Sequence, residues 1–355
     1  MQAQRANLLP YETVDICDED SALVIIDQTL LPGEEKILRL KTQPQIWEAI
    51  YSLRVRGAPA IGVAAAMGLY LHAKAIETQD YDGFMAQLKE GAQYLASSRP
   101  TAVNLFWALE RMQSVAQKNG NLPIEGIKAA LLKEARAIYE EDVQVCYAIG
   151  ENGLTLLKPN MGILTHCNAG QLAATRWGTA LAPIYAGHEK GYNFKVFTDE
   201  TRPLLQGARL SAYELSRAGV DVTLLCDNMA ASAMARGWID AVFVGCDRVA
   251  MNGDIANKIG TSAVSILAKH YGIPFYVCAP ISTIDRRCAS GSAITIEQRA
   301  PEEVTDMWYQ KPMAPQGVKV YNPAFDVTEH SLITAIITEK GIVRPPLGEG
   351  LEKLF

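Results

Sequence analysis

The stretch at 162–180, GILTHCNAGQLAATRWGTA, decides the fold. It opens on an apolar run, breaks at Thr165, His166 and Cys167, and restarts with helical spacing after Asn168, Ala169 and Gly170. A short run that is apolar throughout and hands over to a helix reads as one βα unit of a parallel sheet covered on both faces. The pattern recurs downstream in FKVFT (194–198), DVTLLC (221–226), AVFVGC (241–246) and PFYVCAP (274–280). Helical segments such as ARLSAYELSRAG (208–219) and NKIGTSAVSILAKHYG (257–272) lie between them. The alternation predicts a doubly wound α/β domain.

Upstream the texture differs. Residues 22–40, ALVIIDQTLLPGEEKILRL, read as two short strands around the turn Pro32-Gly33, and helical patterns then dominate to about residue 155. The expected organisation is a mainly helical N-terminal domain over 1–150 with a small β element, then the α/β domain over 151–355. Neither a low-complexity tract nor a fixed-period repeat interrupts it.

Composition bounds the function. With 355 residues and 49% hydrophobic content, the chain can bury a large core, and the length favours two domains. A formal charge of −6 argues against nucleic-acid binding, which needs a basic face. The first twenty residues, MQAQRANLLPYETVDICDED, lack an apolar core of signal-peptide length, and no uncharged run reaches the ~18 residues of a membrane span. A soluble, cytoplasmic protein is the expectation. The seven cysteines are an odd number with no C-x-x-C pair, which suggests free thiols in a reducing compartment.

Polar residues gather at the strand ends: Thr165, His166 and Cys167 after the first, Asp199, Glu200 and Arg202 after the second, Asp227 and Asn228 after the third. Asp247 and Arg248 follow the fourth, Ser282 and Thr283 the fifth. Ligands of open α/β sheets bind beyond the carboxyl ends of the strands, so the Cys167 corner is placed for chemistry. Cys226, Cys246 and Cys278 also sit near strand ends, and burial alone accounts for many cysteines. The loop HCNAGQLA lacks G-x-G-x-x-G, and no G-x-x-x-x-G-K-[ST] occurs, which disfavours nicotinamide and ATP chemistry. The five histidines are scattered, so no metal site is expected, and His166 reads as structural.

Three further stretches carry residues that invite a use. LRVRGAPAIGVAAAMG (53–68) sets Arg54 and Arg56 at the mouth of a small-residue helix, with Gly57 permitting close backbone approach and Pro59 suited to a first turn. SSRPTAVNLFWALERM (97–112) places Ser98 and Arg99 before Pro100 and Thr101 at the start of an amphipathic helix. GCDRVAMNGDIANKIGTSAV (245–264) presents Asp247 after a strand, a loop rich in Asn and Gly, and Asn257 and Lys258 near a helix start. Singly, each has a plain alternative: Arg99 a solvated cap neighbour, Asp247 an arginine's partner, Lys258 a solvent-facing cation.

In order along the chain, RVRGAPAIG, SRPTAVNL, THCNAG, TDETRPLLQGARL and GCDRVAMNGDIANKIGT resemble the methylthioribose-1-phosphate isomerases of methionine salvage. That group is related to the regulatory subunits of translation initiation factor 2B and to ribose-1,5-bisphosphate isomerase. The resemblance implies a helical N-terminal domain, a Rossmann-like C-terminal domain and a cofactor-free, homodimeric aldose-ketose isomerase. It puts the family's thiol on Cys167 and its acid on Asp247. Its substrate contacts fall on Arg56, Gly57, Ala58, Arg99, Gln206, Asn257 and Lys258.

The implied reaction explains these residue types. Phosphate on the anomeric oxygen prevents spontaneous ring opening, so an acid must protonate the ring oxygen; burial can keep a carboxyl protonated for this, and Asp247 is the candidate. The hydrogen on C2 must then reach C1, either as a proton through a base, for which Cys167 serves, or as hydride to a cation-like C1. Arginines can fork onto phosphate, Lys258 supplies a point charge, and the amides of Gln206 and Asn257 suit hydroxyls. The alternatives are a 5-deoxyribose 1-phosphate or ribose-1,5-bisphosphate isomerase, the latter needing a second phosphate site, and a non-catalytic initiation-factor subunit needing neither thiol nor acid. An oxidoreductase would rest on fold analogy alone.

Overall fold

The computed structural model describes residues 8–355, so the first seven residues of the stretch read for a leader lie outside the described residues. The chain divides into two compact units: residues up to Tyr147 with Gly170–Gly178, and Ala148–Ala169 with Thr179–Phe355.

The first unit opens with an antiparallel meander, β1 (Val14–Cys17), β2 (Ala22–Ile26) and β3 (Ile37–Leu40). The two strands expected over 22–40 are β2 and β3. β1 escapes the reading because its alternation of buried Val14 and Ile16 with exposed Asp15 lasts only four residues, too short a run to stand out beside an acidic turn. Five helices follow: α1 (Gln43–Tyr51), α2 (Ala58–Ala75), α3 (Tyr81–Ala96), α4 (Val103–Lys118) and α5 (Ile124–Leu154), the last continuing from Ala148 into the second unit. Every residue of α2 from Ala60 to Leu71 is buried, as befits a helix that is apolar all round. Its small side chains let α1, α3, α4 and the meander pack close around it.

The second unit carries a seven-stranded sheet. In chain order its strands are β4 (Gly162–Thr165), β5 (Lys195–Asp199), β6 (Asp221–Leu225) and β7 (Ala241–Val244). A smaller sheet follows with β8 (Arg248–Ala250) and β9 (Ile255–Lys258); then come β10 (Phe275–Cys278), β11 (Ile284–Asp285), β12 (Phe325–Thr328), β13 (Ala335–Thr338) and β14 (Gly341–Val343). The large sheet runs β14-β13-β10-β7-β4-β5-β6, parallel except at β14. The chain steps outward from β4 to β6, then returns to build β7, β10 and β13 on the other side, so the order reverses between β4 and β7. All positions of β4, β7, β10 and β13 are buried. The flanking helices include α6 (Ala182–Glu189), α7 (Ala212–Arg217), α8 (Ala230–Ala235) and α9 (Thr261–His270). None of the described helices is long and apolar enough to cross a membrane.

One expectation is revised. The Asn- and Gly-rich loop after Asp247 is a hairpin, with Val249 opposite Ile255 in β8 and β9, and this pair joins β11 and β12 in the four-stranded sheet. Asn252-Gly253 marks the turn, a dipeptide strongly favoured in hairpins. Asn257 and Lys258 therefore end a strand, and α9 begins after Gly260.

Candidate active site

β4 ends at Thr165 and β7 at Val244, and the crevice beyond the reversal between them is where doubly wound sheets seat ligands. His166 and Cys167 leave one strand; Gly245, Cys246 and Asp247 leave the other. The backbone at Cys167 is left-handed, with φ +65°, unusual for a residue bearing a β-carbon. Its N–H donates to Thr201 Oγ1 at 2.8 Å, and its carbonyl accepts from Ser211 Oγ at 2.7 Å. Cys167 is 7% exposed.

His166 turns into the protein. Its Nε2 donates to the Ile259 carbonyl at 2.8 Å, and Nδ1 meets Asp199 Oδ2 at 3.0 Å. Burial favours the neutral ring, but the Asp199 carboxylate outweighs it and raises the His166 pKa; burial likewise raises that of Asp199. His166, Asp199 and Asp227 bring possible metal-ligand atoms within 4.8 Å of one another. Both His166 nitrogens are already bonded, and the Asp227 oxygens accept from Thr201 N at 2.7 Å and Arg202 N at 2.6 Å. The trio is thus a hydrogen-bonded brace, in which the buried Asp199 Oδ1 has no hydrogen-bond partner among the described residues.

Asp247 is half-buried, and its N–H donates to the Ala256 carbonyl at 2.9 Å, tying the turn to β9. The rival strand-end cysteines are held as thiols: burial pushes Cys246 and Cys278 well up, whereas Cys226 is exposed, contrary to the buried reading, and the Glu200 charge raises it. Gln206, 6% exposed, buries an Oε1 that has no hydrogen-bond partner among the described residues. Such an acceptor is costly to leave unmade and suits a ligand hydroxyl. Asn257 donates to Thr261 Oγ1 at 3.0 Å. Lys258 does not face water: it is 9% exposed, with Nζ 4.7 Å from the centre of the Phe325 ring. These five residues, Cys167, Gln206, Asp247, Asn257 and Lys258, belong to the second unit.

Arg56, Gly57, Ala58 and Arg99 belong to the first. Gly57 precedes α2 with φ +94°, and a β-carbon there would fall 2.5 Å from the Ala173 Cα, so only glycine fits. Pro59 lies in the first turn as expected. Arg54 is taken up by Asp27 at 2.5 Å and Glu48 at 3.0 Å, whereas Arg56 lies at the helix mouth, half-buried. Arg99 is also half-buried, in the turn before α4, whose first residue is Val103 rather than Pro100.

Residues 54–345 match the initiation factor 2 subunit family. The chain belongs to that family. A Symbiobacterium thermophilum protein named methylthioribose-1-phosphate isomerase is 67% identical over 344 residues, spanning 97% of this chain and 96% of the relative. A Petrotoga mobilis protein named 5-deoxyribose 1-phosphate isomerase is 60% identical over 333 residues, spanning 94% of this chain and 96% of its own. The crystal structure of 5-methylthioribose 1-phosphate isomerase from Pyrococcus horikoshii superposes with a TM-score of 0.92 at 43% identity, covering 100% of this chain and 99% of that one. With relatives this near, this member of the initiation factor 2 subunit family is an enzyme, an aldose-ketose isomerase.

Sequence reasoning missed the polar residues behind the thiol of this family member. Asn168 Nδ2 donates to Ser211 Oγ at 3.2 Å and to Glu214 Oε1, whose Oε2 accepts from the Tyr185 hydroxyl at 3.0 Å. Ser211 and Glu214 are fully buried, yet in ARLSAYELSRAG their i, i+3 spacing looks like a solvated helix face.

Proposed function

We propose that the enzyme converts 5-methylthioribose 1-phosphate to 5-methylthioribulose 1-phosphate in methionine salvage, in the cytoplasm, as a homodimer and without a cofactor. The observation that carries the site assignment is that Cys167 and Asp247 follow the two strands flanking the reversal of strand order. Asp247 delivers a proton to the ring oxygen as the C1–O bond to it breaks, leaving the phosphate attached at C1. The C2 hydrogen then moves to C1, with Cys167 as the base or as the group that stabilises the reacting centre, and C2 becomes the ketone carbon as its hydroxyl gives up a proton that restores the Asp247 carboxyl. Arg56 and Arg99, with the Gly57 and Ala58 amides and Lys258, hold the phosphate; Gln206 and Asn257 take sugar hydroxyls. Neither nucleic acid nor membrane is a partner in this reading.

A second reading takes 5-deoxyribose 1-phosphate as substrate, and the Petrotoga relative's name favours it. Both sugars present the same phosphate and ring, and they differ only at C5. Competition between them in one reaction, followed by ketose formation, decides: a kcat/KM at least ~10-fold higher for the methylthio sugar supports the first reading, within the range a small apolar group contributes. The opposite preference overturns it.

A further inference from the structure

We infer that Thr201 and Ser211 are positioning residues that clamp the Cys167 corner in its left-handed conformation, and that turnover depends on both hydroxyls. The inference rests on the proposal that Cys167 is the reacting thiol. At φ +65° the β-carbon of Cys167 crowds the backbone, and such a conformation persists only where its surroundings over-determine it. Here both polar groups of the residue's own backbone are taken, the N–H by Thr201 Oγ1 and the carbonyl by Ser211 Oγ.

Neither hydroxyl is loosely held. Thr201 is fully buried and itself left-handed at φ +64°, a rare state for a β-branched residue. Its hydroxyl proton goes to the Asp199 carbonyl at 3.1 Å, which leaves a lone pair for the Cys167 amide. Its own N–H is anchored on Asp227, so the ends of β4, β5 and β6 are all tied to the thiol residue. Ser211 closes a π-helical turn, Gly207–Ser211, directly after Gln206, and receives the Asn168 amide that also reaches buried Glu214. π-Helical turns of this kind recur at functional sites. By contrast, the buried Thr198 hydroxyl near the same strand end has no hydrogen-bond partner among the described residues.

Thr201→Val removes the hydroxyl at constant shape, and the assay uses whichever pentose phosphate the enzyme turns over. The expected result is a kcat about 10- to 100-fold lower with KM within about twofold, as for a reacting group displaced by a fraction of an ångström. Thr201→Ser should restore most of the rate, and the isosteric control Thr198→Val should match the parent. Ser211→Ala should lower kcat in the same way, and it carries the test if Thr201→Val does not fold. Cys167→Ser is measured alongside, and near-normal turnover there would refute the thiol assignment and the clamp with it. An inactive Cys167→Ser together with a normal kcat in Thr201→Val and Ser211→Ala, or no rescue by Thr201→Ser, overturns the clamp alone.

Discussion

Gly245 lies against Ala169: a β-carbon on Gly245 would fall 2.6 Å from the Ala169 methyl. Ala169 follows Cys167 by two residues and Gly245 precedes Asp247 by two, so the turns leaving β4 and β7 touch where the strand order reverses. Gly245→Ala should therefore spread the two turns and lower kcat about tenfold or more, with secondary structure by circular dichroism unchanged. Parental turnover in the folded variant would show that the contact is not needed.

Arg99→Ala should weaken substrate binding and inhibition by inorganic phosphate together. A lost charge-assisted contact costs on the order of 2 kcal/mol, or about 30-fold. The loss should appear in KM if the contact is equal in ground and transition states. Phosphate inhibition that stays the same in the variant removes Arg99 from the site.

Asp254 ties the hairpin turn to the rest of the small sheet. Burial opposes its charge, but hydrogen bonds from Asn252 Nδ2, the His330 and Gly291 amides and the His330 ring outweigh it and bring the pKa from the ordinary 3.8 to about 2. Because the folded pKa is depressed, the stabilisation is complete above the unfolded pKa and disappears as pH falls from there through the folded value. Asp254→Asn should flatten that acid limb in urea titrations and lower stability at neutral pH by on the order of 2 kcal/mol. A variant whose acid limb matches the parent's contradicts this.

Much of this was legible in the chain. Apolar runs of strand length separated by helices announce a parallel sheet because both faces of such strands are buried; β4, β5, β7 and β10 lie where those runs stand and are buried, whereas β6 stands where DVTLLC places it but, at the sheet edge, is mostly exposed. β13 was missed, since AIIT is short and follows a segment with no helical period. The small sheet was missed because Arg248–Ala250 and Ile255–Lys258 are too brief to alternate, although Asn252-Gly253 was a hairpin signal. The corner residues could be named from strand ends and the resemblance, but not the clamp. A hydroxyl that caps a distant backbone group leaves no period or spacing, and Thr201 stands 34 positions from the amide it accepts.

Turnover should survive a chelator. The one trio among the described residues with metal-ligand spacing, His166, Asp199 and Asp227, already spends its ring nitrogens and the Asp227 oxygens on hydrogen bonds. Activity lost in excess chelator and restored by a divalent ion would oppose this reading.

The proposed mechanism has the Cys167 sulfur and the Asp247 carboxyl act on the sugar itself, and Cys167→Ser is its sharpest check. Calorimetric binding and steady-state turnover of methylthioribose 1-phosphate are measured on the same folded variant, with Asp247→Asn beside it. Near-parental affinity with kcat at least ~10²-fold lower is expected in each, the usual effect of deleting a catalytic acid or base. A Cys167→Ser enzyme that turns over at close to the parental rate contradicts it and makes this thiol one more buried strand-end cysteine.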